Sequence, residues 1–187
     1  TAAIASSAEK MLASSQLSAF LGDDLRASLE TVIELERSSP GDPGVVVSLL
    51  MNHIRLQENQ AIYLPAGNIH AYLEGLGVEV MASSDNVLRG GLTSKPVDVR
   101  ELLRVLDYSE LAEPKIAVKK LSQGIWEYPT TAKDFSVYRV EPSASVLLMD
   151  LDLPNTGIVV CTQGEITIST SKDETLTISR GQAAFMA

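Results

Sequence analysis

The sequence predicts a mainly β protein that carries a helical segment at its front, and three observations lead there. Up to about residue 51 the apolar residues recur at helical spacing. From Ile54 onward the period falls to two, and the breaks between runs are filled by glycine, asparagine and proline. Many short runs of this kind favour a sandwich or a barrel.

Taken in order, residues 7–37 read as two helices. Leu25, Leu29, Val32 and Ile33 share one face, Gly22 reads as a stop, and Asp23 with Asp24 as a fresh N-cap. The run SPGDPG at 39–44 is turn chemistry, in which Asp42 and Pro43 cap and begin a short helix over 45–51. Strands are then expected at 54–56, 61–64, 70–73, 78–82, 118–121, 136–140, 146–151, 157–162, 165–170, 175–179 and 183–186. One helix interrupts them: Asp98 with Glu101 forms a capping box, and Val99, Leu102, Leu103 and Leu106 form an apolar face.

No fixed-period repeat is visible, yet LQENQAIYLPAG and ISRGQAAFMA share one pattern: strand, turn, Gly or Asn, Gln, small residue, aromatic. The echo predicts two related barrels. The second copy stops before any histidine, so it supports no second metal site. Three parts are expected: 1–51 helical, 52–108 the closing part of a first barrel with a helix, and 109–187 a second, truncated barrel. Thr1 in place of an initiator methionine, and a strand pattern running to Ala187, give the expectation that this is a piece of a longer protein.

With 187 residues, 45% of them hydrophobic, the chain can bury a real core. No apolar run approaches the roughly 20 residues needed to span a bilayer, and the N-terminus lacks a signal peptide's basic and apolar regions. The net charge of -9, from 15 basic against 24 acidic residues, argues against nucleic acid and anionic membrane as partners. The single cysteine, Cys161, excludes an internal disulfide and a thiolate zinc cage and fits a reducing, cytoplasmic setting. An anionic substrate would have to be met by local charge, and Arg89 and Lys95, six residues apart in a glycine-broken loop, are the obvious supply.

Residues 61–108 are the most specific stretch, because His70, Glu79, Asp85, Arg89 and Lys95 are more ionisable groups than a buried hairpin needs. His70 follows a 65–67 turn, with Tyr72 two residues on and on the same face. By composition alone it reads as a core histidine, Glu79 as a solvated acid beside Val78 and Val80, Asp85 as an Asx turn with Asn86, and Arg89 as a surface arginine. His53, at the end of a short apolar helix, reads as a packing or helix-dipole residue. Trp126, Tyr128 and Cys161 read as packing.

The segments PAGNIHAYLEG and SSDNVLRGGLTSKPVDV closely resemble the signature region of type I phosphomannose isomerases, which are zinc-dependent enzymes of the cupin fold, a double-stranded β-helix or jelly roll. The resemblance is strong over 42–108 and weaker elsewhere, where it rests on the order of elements. It implies cupin barrels and an aldose–ketose isomerase that interconverts mannose 6-phosphate and fructose 6-phosphate through an enediol, on the route to GDP-mannose. It also implies Zn2+, with His70 as one of four ligands. The others, a glutamine, a histidine and a glutamate, lie upstream of the residues present, so a missing N-terminal half would complete the site. Arg89 takes the catalytic role, stabilising the enediolate. Lys95 holds the phosphate, and Tyr72, Glu79 and Asp85 line the sugar pocket. TSKP stands where the family more often has TPKP, which leaves Lys95 in place while loosening its loop. The second reading, from a different class, is a cupin-like module that binds a phosphosugar without turning it over.

Overall fold

A computed structural model of the chain describes residues 1–84, 86–143, 149–151, 156–170 and 174–186. The helical segment begins with α1 (Ala2–Ala13), short α2 (Ser15–Ser18) and α3 (Asp23–Ser38). Ser14 ends α1 and caps α2, its hydroxyl accepting the Leu17 N–H at 3.3 Å. The cap of α3 is Gly22, which takes the extended conformation a cap requires. Asp23 and Asp24, expected as the cap, instead lie in the first turn, where their charges meet the positive end of the helix dipole.

The expected face of α3 turns inward at Leu29, Val32 and Ile33, while Leu25 stays open at 48% exposure. Two apolar clusters result. In one, Val32, Leu35 and Val45 meet Ala5, with Leu92 packed against them; in the other, Leu29 and Ile33 meet Ala8. Val32 and Val45 are wholly enclosed, and each such side chain contributes about 1.5–3 kcal/mol. Val45 comes from α4 (Gly44–Val47), which tightens into a 3₁₀ turn at Ser48–Leu50, so the helix expected over 45–51 is shorter than its pattern.

α5 (Val99–Val105) starts where Asp98 accepts the Glu101 N–H at 3.0 Å. The capping box stays half made, because the Glu101 carboxylate pairs with Arg104, which holds it below the usual carboxylate range. Its apolar face is not buried: Val99 is 59% exposed and Leu103 57%.

The strands are β1 (Lys119–Ser122), β2 (Ile125–Tyr128), β3 (Val137–Val140), β4 (Gly157–Val160), β5 (Glu165–Ser169), β6 (Thr175–Ser179) and β7 (Ala183–Met186). They form three small sheets, ordered β1-β2-β3, β4-β7 and β5-β6, the last two antiparallel. β2 was not expected. It follows a two-residue turn whose Gly124, at φ +80°, could not carry a Cβ, since that atom would stand 2.7 Å from the Glu141 carbonyl oxygen.

The chain divides into two compact units, 1–122 with 126–139, and 123–125 with 140–187. Cys161, Ile178 and Ala184 form a core in the second, covered by Val159, Ile166 and Ile168, so its two two-stranded sheets share one core. The strands are arranged as small sheets, and no closed barrel forms among the described residues. The strands expected at 54–56, 70–73 and 78–82 do not form, and 61–64 is reduced to one bridge, Ile62 to Lys115. An alternating pattern makes a strand only when a partner completes its ladder, and beyond that one bridge none does so for these segments among the described residues. Of the strand expected at 146–151, residues 146–148 lie outside the described residues and 149–151 are not in a strand. No helix among the described residues is long and apolar enough to cross a membrane.

Candidate active site

The site is built from a turn. The Asn68 N–H donates to the Pro65 carbonyl at 3.2 Å, and Gly67 between them adopts φ +83°. A Cβ on Gly67 would meet the Val105 carbonyl at 2.9 Å, while its own carbonyl accepts the Asp107 N–H at 3.0 Å. The turn is thus seated on the end of α5, and the chain leaves it in a set direction.

His70 follows, exposed rather than in a core. Its Nδ1 lies 3.0 Å from the Asn68 carbonyl oxygen. A carbonyl can only accept, so Nδ1 is the donor, and a neutral ring held this way has its lone pair on Nε2. Such a bond to a backbone carbonyl is how metal-ligating imidazoles are commonly oriented. The His70 ring meets Tyr72 edge-on with centroids 5.6 Å apart, and the Tyr72 hydroxyl donates to Glu79 Oε1 at 2.9 Å. Three of the predicted residues therefore come together without a regular strand. Partial desolvation, then the hydrogen bond to Glu79 and that carboxylate's charge, push the Tyr72 phenol above its ordinary value. With Tyr72 69% exposed, the Glu79 contact is the cause a substitution can test.

Arg89 and Lys95 are both exposed. Among the described residues no hydrogen bond or ion pair joins their side chains to His70, Tyr72 or Glu79. Their loop is nevertheless fixed. A Cβ on Gly90 would stand 2.6 Å from Ile69 Cδ1, so the loop lies against the residue before His70. Lys95 donates its backbone N–H to Thr93 Oγ1 at 3.2 Å. Asp85 lies outside the described residues.

Among the described residues no three His, Cys, Asp or Glu side chains converge as a metal site would require. The described residues by themselves do not fit a zinc centre. Sequence reasoning missed Asn68, whose carbonyl sets the His70 tautomer. The signal available was an asparagine closing a Pro-Ala-Gly turn.

Relatives of known kind match most of this chain. Mannose-6-phosphate isomerase of Rattus norvegicus is 36% identical over 163 residues, covering 84% of this chain and 38% of its own length. The mannose-6-phosphate isomerase of Salmonella typhimurium is 33% identical over 191 aligned positions, 95% of this chain and 45% of its own. By sequence, the chain is similar to part of a mannose-6-phosphate isomerase. Mannose-6-phosphate isomerase 1 of Arabidopsis thaliana, 36% identical over 140 residues, covers 74% of this chain and 32% of its own length. The chain thus spans less than half the length of these isomerases. A match over 95% of the chain necessarily takes in residues 61–108. No family model and no solved structure matches the chain.

Proposed function

We propose that this chain supplies the sugar-phosphate side of a mannose-6-phosphate isomerase, interconverting mannose 6-phosphate and fructose 6-phosphate. The observation that carries the reading is the similarity to isomerases of bacteria, a plant and an animal across the segment that holds every candidate site residue. The reaction moves a proton between C1 and C2 through an enediol, and negative charge develops on the C1 and C2 oxygens. Arg89, charged at any working pH and flanked by Gly90 and Gly91, is the catalytic group that stabilises that charge. Lys95 anchors the phosphate. Tyr72, Glu79 and Asp85 line the sugar, with the Tyr72–Glu79 hydrogen bond holding both side chains in fixed orientation. The same proposal takes the cupin barrel as the architecture of the longer protein and the cytoplasm as its place.

Zinc enters this proposal with His70 as one ligand and the others contributed by sequence beyond this chain. Its test is metal content: His70→Ala in the full-length protein is expected to lose zinc and activity together, and normal zinc by elemental analysis would remove His70 from the ligand set.

The roles of the two cations are tested by kinetics. An interaction made mainly in the transition state lowers turnover when lost, whereas a phosphate anchor binds ground and transition states alike. Arg89→Ala should therefore lower kcat far more than it raises KM, and Lys95→Ala should mainly raise KM for mannose 6-phosphate. The reverse pattern would exchange the two roles. The second reading is a binding module without turnover. Phosphosugar binding by a folded full-length protein that shows no isomerisation would establish it.

A further inference from the structure

We propose that Asp42 is a positioning residue for the loop that carries Arg89 and Lys95. The inference rests on the reading that those two cations meet the substrate.

Asp42 sits in the SPGDPG turn, where a cap would be expected to use one oxygen locally. It does so: Oδ1 accepts the Gly44 N–H at 2.7 Å. The second oxygen reaches much further. Oδ2 accepts the backbone N–H of Leu92 at 2.9 Å, a residue fifty positions later in the chain. One half-buried carboxylate therefore ties the first turn of α4 to the middle of the loop, by two charge-assisted bonds to main-chain donors.

The surroundings leave little room for another arrangement. A Cβ on Gly91, which has φ +131°, would stand 2.9 Å from Asp42 Oδ1, and a Cβ on Gly44 would stand 2.7 Å from Leu92 Cγ. Leu92 itself adopts φ +51°, a left-handed conformation that leucine rarely takes and that persists only where neighbours enforce it. Two neighbours do so: the Asp42 carboxylate on its N–H, and the cluster of Val32, Leu35 and Val45 against which its side chain packs. Arg89 lies three residues before this point and Lys95 three after it. Releasing Leu92 would let it return to a negative φ and swing both ends of the loop. The clamp thus sets the spacing between the group on the enediolate and the group on the phosphate.

The test uses the full-length protein and four variants, Asp42→Ala, Gly91→Ala, Arg89→Ala and Lys95→Ala, with kcat and KM determined per folded molecule and amide exchange followed at Leu92. Asp42→Ala should speed exchange at Leu92 by roughly tenfold or more, the amides of α3 remaining unchanged. Because both cations are displaced, it should lower kcat and raise KM together, and a misplacement near 1 Å reduces rate on the order of 100-fold. A residue that mattered only for folding would lower the yield of folded protein and leave KM alone. Gly91→Ala strains the same junction with the carboxylate retained, so it should give the same joint change and serves if Asp42→Ala does not fold. Unchanged kcat and KM in both, with Arg89→Ala and Lys95→Ala impaired, would overturn the clamp and leave the site intact. If the two cation variants are also unimpaired, the site reading falls and the clamp with it.

Discussion

The chain contains one turn twice, and the two copies end differently. In the first, Gln60 donates its N–H to the Gln57 carbonyl at 3.0 Å while its side-chain Oε1 accepts the Gln57 N–H at 2.9 Å. In the second, Gln182 does both with Ser179, at 2.9 and 2.8 Å. The residue before each glutamine is left-handed, Asn59 at φ +64° and Gly181 at φ +84°. After the second turn the chain enters β7, paired with β4 along four residues. After the first it makes a single bridge, from Ile62 to Lys115. Local chemistry fixes the turn in both places, whereas the strand that follows depends on what lies beside it.

Burial follows the pairing, and the largest expected effect tests this. Ile178 is 4% exposed, while Leu56 at the equivalent place is 44% exposed. Ile178→Ala should destabilise the chain by roughly 2–4 kcal/mol, since it leaves a cavity among Cys161, Ala184 and their neighbours. Leu56→Ala should cost less than about 1 kcal/mol. Urea denaturation followed by circular dichroism reads both, and equal losses would mean the first copy is as enclosed as the second.

A smaller effect tests whether the turns are interchangeable. Gly181→Ala places a Cβ in the left-handed region and should cost about 1 kcal/mol. Gly181→Asn should cost clearly less, because asparagine already occupies that place at Asn59. An asparagine variant no more stable than the alanine one would show that the match is one of outline only.

The smallest effect lies in the unpaired stretch that follows the first turn. Tyr72 should titrate above the ordinary tyrosine value near 10, and Glu79→Gln should bring it back toward that value. A raised phenol pKa means that folding favours the protonated form. The stabilisation is complete below the unfolded-state value and is lost as pH rises through the folded one. Tyrosinate absorbance, with Tyr72→Phe as the reference, follows it; an unchanged titration in Glu79→Gln would remove the contact.

What could be read in advance follows the same division. The face of α3, the Asp98 cap and the strands at 175–179 and 183–186 were legible because their causes are local: spacing, a capping side chain, a turn. β2 was not, because Trp126 and Tyr128 read as packing aromatics; Arg139 lies 3.9 Å over the Trp126 ring, and the Tyr128 hydroxyl donates to the Asn59 carbonyl. The patterns at 70–73 and 78–82 were legible as alternation, but a strand also needs a partner from elsewhere in the chain, and none pairs with them among the described residues. Of the candidate site, the resemblance names His70, Tyr72 and Glu79 singly, and the contacts that join them come from the structure. The bond from Asp42 to Leu92 could not, since nothing in a turn aspartate announces a partner fifty residues away.

Cys161 is the only thiol of the chain and is 3% exposed, with Sγ within hydrogen-bonding reach of the Gln163 and Gly164 carbonyls at 3.4 and 3.5 Å. A thiol reagent therefore has one place to react and reaches it only while that core stands open, so its labelling rate is a clock for opening. The clock needs neither substrate nor metal. A variant of the loop carrying Arg89 and Lys95 that loses activity while the clock runs at its old rate has kept this unit closed.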